Sequence, residues 1–122
     1  MITYHYSLRE DIKMAIQTLG RFFWLKKHRL IFFMPTLKRF RDIRSFQKNI
    51  FIDVGEDILC YWVSSGTWGS YKAPNKIYIC PWGIEQAGGI KSVINHEIKH
   101  LQLFDKTKHM SYEEREKIID ES

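Results

Sequence analysis

Asn95-His96-Glu97-Ile98-Lys99-His100-Leu101 contains the pattern His-Glu-X-X-His, and the rest of the chain is best read outward from it. Two histidines four residues apart stand one above the other on a single helical face, so both imidazoles can reach one metal ion. The glutamate between them points to the same side, where it can hold and deprotonate a water on that metal. The flanking residues predict the helix this requires. Advancing by about 100° per residue, Ile90, Val93, Ile94, Ile98, Leu101 and Phe104 fall on one broad arc, and Lys91, Ser92, Asn95, Lys99 and Gln102 on the opposite one. Such a helix is amphipathic, with His96 and His100 at one edge of its apolar arc and Glu97 inside it. A carboxylate in a core-facing stripe is costly unless something compensates it, and a metal-activated water between two histidines does so.

A catalytic zinc site needs a third protein ligand and an open fourth position. The tail offers candidates. Ser111-Tyr112-Glu113-Glu114 is a capping box, which predicts a helix start with Glu114 as the capping partner. Tyr112, Glu116 and Ile119 then share one face, so Glu116 points inward with the tyrosine and the isoleucine. Glu113, His109 and Asp105 remain alternatives for the third ligand.

With these residues the chain resembles the zincin metallopeptidases, and among them the gluzincins. The resemblance implies that a second helix supplies a glutamate ligand, here Glu116. It also implies that an aspartate four residues later, Asp120, orients a ligand histidine from outside. Lys106 stands where a metzincin arrangement would place His or Asp, which argues against that branch. Upstream, Thr67-Trp68-Gly69-Ser70-Tyr71 followed by Lys76-Ile77-Tyr78-Ile79 resembles the Trp-Gly-Ser stretch and strand of SprT-like small metallopeptidases. In that family likeness the strand, Ile77–Cys80 here, runs along the rim of the cleft and an extended substrate pairs with its edge. The resemblance covers roughly residues 66–120.

The first half is read from pattern alone. Ser7-Leu8-Arg9-Glu10 is another capping box, and Leu8, Ile12, Ala15, Ile16, Leu19 and Phe23 recur at helical spacing, predicting a helix from about residue 8 to the high twenties. Leu30–Met34 is a strand ended by Pro35. Asn49–Val54 and Ile58–Val63 flank Gly55-Glu56-Asp57 and predict a β-hairpin. The expected class is α+β, a small zincin-like domain spanning residues 1–122. It would combine an N-terminal helix, a twisted and mostly antiparallel sheet, the motif helix and a C-terminal helix.

With 122 residues, 44% of them apolar and 15% aromatic, the chain is expected to form one domain with a substantial core. Cys60 and Cys80 form no CxxC pair and sit in apparent strands, so buried reduced thiols are expected. No secretory signal is visible. Arg21, Lys26, Lys27, His28 and Arg29 interrupt the apolar run Leu19–Met34 too heavily for a transmembrane segment, so a cytoplasmic location is expected.

Charge is uneven. From Arg21 to Lys48 there are nine Lys or Arg against one acid, Asp42, whereas the whole chain carries +5. The same segment holds Phe22, Phe23, Trp24, Phe32, Phe33, Phe40 and Phe46. Cations interleaved with aromatics suit nucleic-acid phosphates and bases, or an anionic membrane surface, although core phenylalanines with solvated lysines and arginines give the same composition.

The expected function is therefore a zinc metallopeptidase acting on a peptide or protein substrate. His96, His100 and Glu116 hold the metal and Glu97 is the general base. His109, Tyr71 and Tyr112 are candidate donors to the developing oxyanion. Alternatives are a metal-dependent protein recruited to nucleic acid through Arg21–Lys48, and a binding module with a non-catalytic metal or none.

Overall fold

The first element is a strand that the helical pattern after it does not announce. A computed structural model describes residues 1–46, 50–52 and 54–121. It begins with β1 (Ile2–His5), α1 (Leu8–Gly20), α2 (Phe22–Lys27), β2 (Phe32–Phe33) and α3 (Leu37–Ile43). There follow β3 (Ile58–Trp62), β4 (Gly66–Thr67), β5 (Gly69–Lys72) and β6 (Lys76–Ile79). A short 3-10 helix (Ile84–Ala87) then leads to α4 (Ile90–Gln102), α5 (Phe104–Thr107) and α6 (Tyr112–Glu121). The class is α+β, as expected.

The main sheet has the order β1-β3-β6-β5. It is mixed rather than mostly antiparallel. Ile2 pairs with Ile58 and Leu59 with Lys76 in parallel ladders, and only β5 and β6 run antiparallel, Gly69 opposite Ile79. Parallel pairing needs a long crossover, and the three helices between β1 and β3 supply one. Because β1 and β6 occupy both edges of β3, the expected hairpin with Asn49–Val54 does not form. Asn49 and Asp53 lie outside the described residues, and Ile50, Phe51, Ile52 and Val54 are not in a strand. Instead the Ile50 carbonyl accepts from Tyr4 Oη at 2.6 Å and Ile52 is buried in the core. The expected rim strand is also moved inward: β6 is flanked on both sides, and the outer strand is β5.

Alternation along the strands divides the core. Ile77 and Ile79 of β6 join Ile58, Cys60 and Trp62 of β3 in one cluster with Val93, Ile94 and Ile98 of α4. Tyr78, between the two isoleucines, joins Val63, Cys80 and Met14 of α1 in another. Cys60 and Cys80 are both free, buried thiols, and burial pushes each up to about 12.

The N-terminal helix forms, but it ends at Gly20 and resumes one residue later as α2. Its buried side is Asp11, Met14 and Thr18, not the apolar stripe. Asp11, 1% exposed, accepts from the Ser64 backbone N–H at 2.8 Å and from Ser64 Oγ and Tyr6 Oη at 2.9 Å each. This satisfied carboxylate fixes the rotation of α1. Gly66, with φ +104°, leaves room for Met14 Sδ where a Cβ would lie 3.1 Å away. The consequence is that Leu8, Ile12, Ile16 and Leu19 remain exposed. Among the described residues no helix is long and apolar enough to cross a membrane.

Candidate metal centre

The motif helix forms where its periodicity places it, and Val93, Ile94, Glu97, Ile98 and His100 are its buried residues. Gly89, with φ +97°, precedes its first turn. Against its buried side lies the outer strand. A Cβ on Gly69 would come 2.5 Å from Val93 Cγ1 and 3.1 Å from Glu97 Oε1, so only glycine lets strand and helix approach this closely. Trp68 next to it donates from Nε1 to the Trp82 carbonyl at 2.7 Å, and Trp82 Nε1 donates to the Ser64 carbonyl at 3.0 Å. These two indoles pin the start of β5 to the loop that enters α4.

The C-terminal helix meets α4 at the histidines. Ser111 Oγ accepts from the Glu114 N–H at 3.3 Å and bonds the Glu114 carboxylate at 3.1 Å, so Glu114 is spent on the cap. Ile119 is fully buried on the same face as Glu116. His96 Nε2 stands 3.1 Å from Glu116 Oε2, and His100 Nε2 stands 2.9 Å from Glu116 Oε1. One donor atom from each of His96, His100 and Glu116 lies within 4.8 Å of the other two. Ligand atoms set tetrahedrally around zinc at about 2.1 Å would be about 3.4 Å apart, so the two histidine–glutamate separations lie within about 0.5 Å of what the ion needs. Two imidazoles and a carboxylate are a donor set that suits zinc.

The electrostatics follow from the same contacts. Burial by itself would raise the Glu116 carboxyl, but the hydrogen bonds with His100 and His96 outweigh it and hold the group down at about 2. The hydrogen bond to Glu116 raises His96 against the opposing effect of burial. Glu97, only 6% exposed, is pushed up to about 7 by burial, with the neighbouring histidines opposing. Glu97 Oε2 and His100 Nδ1 are buried without a hydrogen-bond partner. A buried carboxylate oxygen with no donor fits a site that takes a cation and its water.

The alternatives for the third ligand are elsewhere. Glu113 pairs with His28 Nδ1 at 3.0 Å, Asp105 is 96% exposed beside Lys108, and His109 is exposed and outside the cluster. Asp120 lies 3.9 Å from His96 Nδ1, on the side expected for an orienting carboxylate but beyond hydrogen-bonding distance.

Beside the centre opens a cleft of about 1100 Å³. Tyr71 and Tyr112 line it, whereas His109 does not, so two of the three candidate oxyanion donors share the cleft with the centre. Tyr71 stacks on His100 with ring centroids 4.5 Å apart and planes 13° from parallel. Burial raises the Tyr71 phenol, and the charge of Arg115, which also lines the cleft, opposes that rise. Arg115 escaped the sequence argument, although it shares the inward face at spacings of three and four with Tyr112 and Ile119. The close approach of Gly69 to Glu97 has no sequence signal.

The basic, aromatic segment contributes Arg21, Trp24, Leu25, Arg29 and Ile31 to the lining of the cleft. Trp24 packs edge-on against Tyr112 at 5.2 Å and over His28 at 4.3 Å, so α2 holds the start of α6. Phe22, Phe32, Phe33, Phe40 and Phe46 are partly buried, and Arg39 and Arg44 lie over Phe33 and Phe40. Lys48 lies outside the described residues.

The chain matches no known protein-family model, no curated protein and no solved structure. Function is therefore argued from the chemistry of the site alone.

Proposed function

We propose that this chain is a zinc-dependent hydrolase, a small metalloendopeptidase of zincin type. The observation that carries the reading is the meeting of His96, His100 and Glu116 beside a buried, unpartnered Glu97 oxygen. Zinc, when bound, would lower the pKa of a water in its open position and polarise the substrate carbonyl. The protein's part is as follows. His96 and His100 are held on consecutive turns of α4, and Glu116 is brought to them by α6. Glu97 takes the proton of the attacking water and delivers it to the leaving amine, and a carboxyl near neutrality suits both transfers. Tyr71 and Tyr112 line the cleft, and their hydroxyls would serve as donors for the oxygen that gains negative charge in attack. A cytoplasmic setting is proposed on the two buried thiols, which form no disulfide.

The test is metal content after loose ions are removed. Wild type should hold about one zinc per chain and His96→Ala should hold none. Glu97→Gln should keep the metal and lose about 100-fold or more of peptide hydrolysis. A wild type that stays metal-free when zinc is supplied, or an active Glu97→Gln, would sink the proposal. A second reading, recruitment to nucleic acid, is favoured by the exposed Lys38, Arg41 and Arg44 on and after α3. It requires that neutralising them weaken nucleic-acid affinity and its salt dependence.

A further inference from the structure

We propose that the cleft selects acidic, extended peptide segments through a cationic wall of Lys13, Arg21, Arg29 and Lys72. For its chemical consequence this rests on the peptidase reading. As a binding preference it stands separately.

Two walls define the cleft. One is β5, which pairs with β6 along one edge and leaves the other edge unpaired in its sheet. Gly69 through Lys72 all line the cleft, and alternate residues of β5 direct their backbone groups away from β6, although Thr67 Oγ1 already donates to the Gly69 carbonyl at 2.9 Å. An extended chain satisfies such an edge in register. The opposite wall is the polar side of α1. Lys13, Gln17 and Arg21 are spaced by four residues, share one helical face and all line the same cleft. Arg29 joins them from the turn after α2, where it adopts φ +56°, an uncommon conformation for a residue with a side chain. Lys72 closes the far end of β5.

None of these four cations is in an ion pair with an acid, among the described residues. Three acids line the cleft, and none is available to them. Glu10 is held by Tyr78 Oη at 3.0 Å and Lys76 at 3.8 Å, and Glu97 and Glu116 belong to the centre. Three unneutralised charges across the cleft from the strand, with Lys72 at the strand's own end, set a preference for a chain whose side chains carry carboxylates. The aromatic rings nearby argue against a single nucleic-acid strand in the same place. Trp24 is engaged by His28, Tyr112 and Arg21, and Tyr71 stacks on His100, so both rings already have partners that a stacked base would have to compete with.

Binding can be separated from turnover. The full chain carrying Glu97→Gln, with and without zinc, is titrated with a fluorescent glutamate-rich peptide, its glutamine and lysine counterparts, and a labelled single-stranded oligothymidylate. The glutamate peptide should bind about tenfold or more tightly than the glutamine one, and the margin should shrink as salt rises. Combined charge reversal, K13E with R21E and R29E, should turn the preference toward the lysine peptide. Circular dichroism and a cooperative thermal transition report that this variant still folds; if it does not, K13Q with R21Q should still narrow the margin. Equal affinity for glutamate and glutamine peptides, no binding of either, or a preference that survives charge reversal would overturn the inference. So would tighter binding of the oligothymidylate through the same cations. If instead the acidic preference holds but zinc-loaded wild type leaves the bound glutamate peptide intact, the peptidase reading fails and this one stands.

Discussion

Glu97 is raised to about 7 because it is buried, while Glu116, only a few ångströms from the same histidines, is lowered to about 2 by their hydrogen bonds. The two carboxylates therefore act on stability in opposite directions in metal-free protein. Native Glu97 binds its proton more tightly than the unfolded chain does, so its contribution is present below about pH 4.5 and is lost as pH rises through about 7. Glu116 contributes above its ordinary value and loses that contribution as pH falls toward 2. His96, being raised, favours the fold at pH below its ordinary value and loses that favour as pH rises. Removing the ionisable group at position 97 should expose the first effect. In the presence of a chelator, Glu97→Gln should be more stable than wild type by up to about 3 kcal/mol near pH 8 and equal to it below about pH 4.5. Urea unfolding across that range measures the difference, and a gap that does not change with pH would refute the assignment of the buried charge.

At the scale of elements, the site depends on how closely β5 lies on α4. The strand edge that the family likeness assigned to Ile77–Cys80 is supplied by Gly69–Lys72, and the closeness comes from one missing methyl group. Gly69→Ala places a carbon 2.5 Å from Val93 Cγ1. Strand and helix must then separate, at a cost of about 1–3 kcal/mol typical of overpacking. The same shift moves Glu97, so the variant should lose activity beyond its loss of stability while keeping its zinc ligands. Thermal unfolding and zinc content of the variant, measured together, check this; a fully active and fully stable Gly69→Ala would rule out the close packing. The fate of α1 shows the converse. Its periodic stripe Leu8, Ile12, Ile16 and Leu19 announces the helix but not its buried side, because Asp11 and its three hydrogen bonds turn that stripe outward.

For the whole molecule, a zinc ion at this centre would join α4 to α6, two elements already linked by the ion pairs of Glu116. A ligand that binds only the folded arrangement stabilises it by mass action. Zinc at about a hundredfold above its dissociation constant should add about 2.7 kcal/mol, a rise in Tm of about 10 °C for a chain of this size. Glu116→Ala should lose most of that rise, since it removes the only ligand from α6. An equal zinc-induced rise in His96→Ala would show that the metal binds elsewhere. The clasp of α2 on α6 through Trp24, His28 and Tyr112 ties the N-terminal half to the same site, which is why the basic segment ends up beside the cleft.

Some of this was legible in the chain because it is local. The spacing His96-Glu97-His100 within an amphipathic arc determined the helix, its buried side and the convergence of the two imidazoles. The Ser111 cap with Tyr112 and Ile119 determined that Glu116 faces inward. Both are consequences of about 3.6 residues per turn, and no distant contact is needed to state them. Tertiary structure alone decided that β3 lies between two parallel neighbours, that β6 is interior and β5 exposed at the edge, and that Glu116 rather than Glu113, His109 or Asp105 arrives at the histidines. It also decided that Lys13 and Arg21, some eighty residues away in sequence, look into the cleft. Strand pairing and helix rotation are chosen by competition among buried surfaces and hydrogen-bond partners remote along the chain, such as Ser64 for Asp11, and a periodic pattern carries no record of the partner that wins.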